Sequence, residues 1–110
     1  MARIRDDREE KFATRGLLLE ILQAAVERER GNEESQETYI DEDLLYLKTG
    51  RRYPQTREML RGNLYYLRDK GYVKLRRVRI GRAESLMWRI TASGTDLLEG
   101  NIVDPGVHIQ

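Results

Sequence analysis

Residues 60–90, "LRGNLYYLRDKGYVKLRRVRIGRAESLMWRI", constrain the fold of this chain more than any other stretch. Leu60, Leu64 and Leu67 recur at helical spacing up to Gly71. The period then switches to two: Leu86, Trp88 and Ile90 alternate, and so do Val73 and Leu75. Gly81 to Glu84 supplies turn chemistry between the two alternating runs. A helix, a glycine stop and a β-hairpin must therefore follow one another directly. Val78 and Ile80 have the opposite parity to Val73 and Leu75, which predicts a bulge or sharp twist near Arg76 and Arg77.

Upstream, "TRGLLLEILQAAVERER" places Leu17, Leu18, Ile21, Leu22 and Ala25 on one apolar stripe of a helix. Phe12 allows that helix to begin near Asp7, with Gly16 inside it at a cost of about 1 kcal/mol. "GNEESQET" reads as a polar loop. "YIDEDLLYLKTG" is a short second helix, capped by Asp41 or Thr38 and ended by a left-handed Gly50. Pro54 makes "RRYPQ" a turn, and Thr56 is the expected N-cap of the third helix. A strand at Glu37–Ile40 would give the hairpin a third member. "TASGTDLLEG" can form one more short helix. The predicted architecture is mainly α with a small β-hairpin (α+β), a winged helix-turn-helix. Its parts are a helical N-terminal extension over 1–13, the winged domain over 14–100 and an extended tail over 101–110.

The charges are segregated along the chain. Six acids and no Lys or Arg occupy Glu33 to Asp43, while Arg51 to Arg82 carries eleven basic residues against only Glu58 and Asp69. Such a field favours a polyanion at the basic half, although the net charge is only +1. The chain has no cysteine and a single histidine, His108, which leaves no thiolate metal site and no cysteine nucleophile. Neither a Gly-rich phosphate loop nor a Ser/His/Asp set is present, so the expectation is a binding protein without cofactor or metal, not an enzyme. No apolar run reaches the roughly 20 residues of a membrane span, and the mixed charges of "MARIRDDREEKF" do not form a secretion signal. A cytoplasmic location is expected.

The C-terminal half resembles a known family. "L-x-x-L-x-x-K-G-Y-V" and "W-R-I-T-x-x-G" look like the end of a winged-helix domain of the ArsR/MarR-like class. "TASGTDLLEGNIVDPGV" is similar to the C-terminus of small winged-helix proteins of Mu-like phages and prophages, in which T-x-x-G-x-D precedes Pro-Gly-Val or Pro-Gly-Ile. The resemblance runs from about Thr14 to Val107 and implies a phage-type transcriptional regulator. It implies no metal sensing, which in ArsR proteins uses Cys or clustered His ligands.

In a helix-turn-helix the second helix enters the major groove. With Leu60, Leu64 and Leu67 buried, Gln55, Glu58, Arg61, Gly62, Tyr65 and Asp69 fall on the outer face, with Arg57 and Arg68 on its flanks. Arg61 is the candidate for guanine, Gln55 for adenine and Tyr65 for the sugar-phosphate, while Gly62 allows close approach. Arg51 and Arg52 in the preceding turn are candidates for the backbone. In the wing, Lys74 and Arg76 project to one side of the bulge, Arg77 and Arg79 project outward beyond it, and Arg82 sits at the tip. Trp88 belongs to the core, and the hydroxyls of Tyr46 and Tyr66 are expected at the surface. Double-stranded DNA is the expected partner. A homodimer through the apolar stripe of helix one is a further expectation. The rival reading is a protein-interaction adaptor in phage development, favoured by acids on the reading face and by the acidic segment. The blander reading is that the arginines keep the hairpin soluble and blunt its edge.

Overall fold

A computed structural model describes residues 7–30 and 37–109. It has four helices and one three-stranded antiparallel sheet. The elements are α1 (Asp7–Glu29), β1 (Ile40–Asp41), α2 (Glu42–Gly50), α3 (Arg57–Asp69), β2 (Val73–Ile80), β3 (Ala83–Ile90) and α4 (Ala92–Leu98). The strand order is β1-β3-β2. The acids Glu33 and Glu34 and most of the predicted polar loop lie outside the described residues.

Local chemistry accounts for most boundaries. Asp41 caps α2 by accepting from the Asp43 amide at 2.7 Å, and Thr56 caps α3 by accepting from the Met59 amide at 3.1 Å. Gly71 leaves α3 at φ +82°, a conformation that strains any residue with a Cβ. Gly81 does the same at φ +64° in the two-residue turn between β2 and β3. Gly50 does not adopt the left-handed stop expected of it: it stays in the helix, and Arg51 caps the end in right-handed geometry. The chain turns because the Arg52 and Tyr53 amides both donate to the Thr49 carbonyl.

The helices and sheet enclose one core. Leu18, Leu19 and Leu22 of α1, Leu45 of α2, and Leu60, Leu64 and Leu67 of α3 meet Val73, Trp88 and Ile90 of the sheet. Trp88 is fully buried, and truncating a residue of this kind to alanine costs about 3–5 kcal/mol. Of the predicted α1 stripe, Leu18, Leu22 and Ala25 are buried and Ile21 packs against the core, while Leu17 is half-buried.

The predicted bulge is absent. Pairing runs unbroken from Val73 opposite Ile90 to Ile80 opposite Ala83. Val73, Leu75, Leu86, Trp88 and Ile90 share the core face, as their alternation requires. Val78 and Ile80 are on the other face because the hairpin outruns the core. Strand β1 pairs only with Met87 and Trp88, so the four outer rungs, about 14 Å at about 3.4 Å per residue, extend beyond the third strand. Ile80 there is 72% exposed. The third strand itself is shorter and later than Glu37–Ile40, covering only Ile40–Asp41.

Segment 101–109 has neither helix nor strand, yet it docks on the core. Asp104 is buried and accepts from Tyr72 Oη at 2.8 Å, Tyr66 Oη at 3.1 Å and the Gly106 amide at 2.8 Å. The Tyr66 hydroxyl is therefore bonded internally and not at the surface. Burial, helped by the bond to Asp104, pushes Tyr72 up to about 12. Burial alone would raise Asp104, but the bonds from Gly106, Tyr72 and Tyr66 outweigh it and hold the carboxyl below its usual value. Arg15 of α1, itself buried, stacks 3.6 Å above the Tyr66 ring centre and donates to the Gly106 carbonyl and to Asn63 Oδ1. The His108 amide then donates to the Phe12 carbonyl at 3.0 Å.

Candidate nucleic-acid interface

The predicted contact residues separate into two groups with different surroundings. On α3, Arg61 donates from Nε at 3.1 Å and from Nη2 at 2.7 Å to one oxygen of Glu42, the first residue of α2. The other oxygen of Glu42 accepts from the indole Nε1 of Trp88 at 3.2 Å. Glu42 is only 5% exposed, although it belongs to the run of six acids from Glu33 to Asp43. Its charge is buried but shared between a guanidinium and an indole, which raises the Arg61 pKa through the hydrogen bond to Glu42. Arg61 therefore clamps α3 to α2 and, through Glu42, to the sheet. Its side chain stays 46% exposed, so a base contact would compete with the bond to Glu42.

Its neighbours are similarly engaged. Arg57 pairs with Asp43 and lies over the Tyr46 ring at 4.7 Å. Both charges of this pair are exposed, so water competes with it as it does not compete for Glu42. Tyr65, expected outward, packs against Trp88 with ring centres 6.0 Å apart and carries Arg68 on its face. The Leu60/Leu64/Leu67 stripe is wide enough to draw the neighbouring tyrosine ring into its margin. Gln55 is half-buried, donates to the Tyr53 carbonyl at 3.3 Å and accepts from Asn63 at 3.4 Å. Arg51 and Arg52 are exposed in the turn before α3, Arg52 lying 5.6 Å from the Tyr53 ring. Glu58, Met59 and Gly62 remain open on the outer surface of α3.

The hairpin presents the second group. Lys74 and Arg76 share the outer face with Val78 and Ile80, and both lie near Tyr39, at 5.9 and 5.1 Å from its ring. Lys74 also approaches Glu37 at 3.5 Å. Without a bulge, Arg77 and Arg79 belong to the opposite face, the one that carries Val73 and Leu75 nearer the core. Arg77 reaches diagonally across the ladder to Glu84 at 3.0 Å. Arg79 and Arg82 form no ion pair with any described residue, and both are exposed.

Sequence reasoning missed Arg89. It forks onto Glu29 at the end of α1, with Nη1 at 2.9 Å and Nη2 at 2.7 Å, and also donates to the Thr38 carbonyl. The bonds from Arg89 first, and then from Thr38, pull Glu29 from the ordinary 4.5 down to about 2. The one signal for this pairing was an acid at the end of a helix, where the dipole disfavours it without a cation.

A cleft of 720 Å³ opens between α1 and the start of α3, lined among others by Arg15, Gln55, Met59 and Asn63. The polar groups on its floor bond mainly to one another. Among the described residues no cluster of His, Cys, Asp and Glu could hold a metal ion, and no helix is long and apolar enough to cross a membrane. Compared with protein-family models, with curated proteins and with solved structures, the chain matches none.

Proposed function

We infer that the chain is a winged helix-turn-helix that binds double-stranded DNA mainly through the β2–β3 hairpin. The order helix, strand, helix, helix, hairpin with a β1-β3-β2 sheet is what that fold requires, and α2 and α3 are joined by a short turn. The observation that carries the DNA reading is the hairpin's projecting end: Arg79 and Arg82 stand exposed beyond the third strand and form no ion pair with a described residue, Glu84 opposite Arg79 being bonded to Arg77. Cations presented in this way neutralise phosphates and release counterions on binding. Arg76 and Lys74 extend the same field toward the sheet. The family resemblance adds the role of a phage-type regulator.

The test is fluorescence anisotropy of a labelled mixed-sequence duplex across a salt series. Wild type is expected to bind with a steep salt slope. Arg79→Glu/Arg82→Glu is expected to bind more weakly, with a slope lower by about 2. Equal slopes for the two proteins would remove the hairpin from the interface.

A protein-adaptor reading has its own observation in Leu44 and Leu47, exposed one turn apart on α2. It becomes the better account when wild type leaves the duplex unbound even at low salt.

A further inference from the structure

The projecting end of the hairpin has two unlike faces. On one, Val78 and Ile80 of β2 stand opposite Ser85 and Ala83 of β3. On the other, Arg77 and Arg79 stand with Glu84, and Arg82 occupies the turn. Ile80 is 72% exposed, its cross-strand neighbour is an alanine, and the turn next to it begins with Gly81. A bulky β-branched side chain is thus held at the end of a slim ribbon, with Arg79 on the opposite face and Arg82 in the turn, neither ion-paired with a described residue. Among the described residues Ile80 is not part of the core, which ends several rungs earlier.

We propose that this tip enters the minor groove of duplex DNA, that Ile80 wedges between base steps, and that Arg79 and Arg82 bind the flanking phosphates. The inference rests on the DNA-binding reading and extends it from a charge clamp to a protein that bends its duplex. Apolar wedges entered from the minor groove unstack a base step and kink the helix by about 20–90°. A narrow minor groove concentrates negative potential and draws arginines. A polar tip would serve phosphate contact equally well, so the exposed isoleucine is the feature that a clamp alone leaves unexplained. The four outer rungs are free of β1, so the duplex can approach the tip without displacing packed structure. Unstacking is cheapest at pyrimidine–purine steps, which makes those the favoured sites of entry.

The experiment uses the full chain and a duplex of about 30 base pairs labelled at both ends, following anisotropy for binding and energy transfer for end-to-end distance. Wild type is expected to bind and to shorten that distance. Ile80→Ala is expected to keep the wild-type salt slope while losing more than half of the change in energy transfer. It trims a side chain that is 72% exposed, and an unchanged melting curve verifies that it folds. Arg79→Glu/Arg82→Glu is expected to lose affinity and slope. Wild type that binds without shortening the duplex overturns the wedge and leaves DNA binding intact, as does an Ile80→Ala protein that bends as wild type does. Wild type that fails to bind at low salt overturns both readings.

Discussion

Helix α3 and the β2–β3 hairpin carry arginines of the same chemistry, yet the two sets are not equally available. Arg61 faces a carboxylate that is buried and shared with Trp88, whereas Arg79 and Arg82 face solvent. Withdrawing Arg61 to meet a base would leave the Glu42 charge in a low-dielectric site with only the indole to solvate it, a large cost. Withdrawing Arg79 or Arg82 costs only hydration. Arg57 is intermediate: it is paired, but with an acid that water can solvate as readily. Whether a cation can serve a partner therefore depends less on its own exposure than on that of the acid it would abandon.

The strongest way to break this comparison is to remove the buried acid. Glu42→Ala strands the Trp88 N–H and frees Arg61, and is expected to cost about 2–3 kcal/mol, read as a shift of the urea midpoint. Arg57→Ala, which abandons an exposed acid, is expected to leave that midpoint unchanged. In the duplex assay Arg61→Ala is expected to affect binding far less than Arg79→Glu/Arg82→Glu. Strong dependence on Arg61, with stability intact, would instead mean that α3 reads DNA despite its clamp.

A third kind of cation extends the comparison. Arg15 is buried against neutral acceptors, the Asn63 side chain and the Gly106 carbonyl, and its pKa is lowered by desolvation, partly offset by Tyr66 and Asp104. The docked C-terminal segment holds it in place. Gly16 admits that segment, since a Cβ there would collide with the His108 carbonyl oxygen. Gly16→Ala should gain helix propensity of about 1 kcal/mol but lose more to the displaced segment, for a net cost of about 1–2 kcal/mol. Faster hydrogen exchange at the His108 amide would report the release.

These contrasts also mark what the sequence made legible. The third helix, its Thr56 cap, its Gly71 stop and the hairpin were readable because period and end chemistry are local. The supposed bulge came from requiring every apolar residue of β2 to face the core, a rule that fails where a strand outruns the core. Glu42 was hidden because it sits among acids that belong to solvent. Only the need of a buried indole for an acceptor pointed to it. Leu19 is fully buried although the α1 stripe does not include it, because three successive leucines blur a helical period. The C-terminal segment has no period at all, and its docking depends on pairings as distant as Tyr66 with Asp104.

Arg89 tests the engaged class through pH. Its fork onto Glu29 holds that carboxyl at about 2, below the ordinary 4.5, so the native state favours the ionised form. The stabilisation is complete above the unfolded value and is lost as pH falls from 4.5 toward 2. Arg89→Ala is therefore expected to melt below wild type at neutral pH, with the gap narrowing on acidification through that window. A carbon-detected titration of the Glu29 carboxyl should show its pKa returning toward 4.5 in the variant.

The smallest effect separates the two regions most cleanly. Gly62 lies exposed in the middle of α3, and a Cβ there would meet nothing within 4 Å. A glycine at an open helix position loses backbone entropy on folding without serving any internal contact, so Gly62→Ala should stabilise the protein by about 0.5 kcal/mol. Had this glycine been needed to bring α3 close to base edges, the added methyl would weaken DNA binding while strengthening the fold. On the proposed reading, in which the hairpin carries binding, stability is expected to rise and the duplex affinity to stay the same. A more stable Gly62→Ala protein with several-fold weaker binding would restore α3 to the interface, and would mean that the clamped Arg61 is bypassed by close backbone approach beside it.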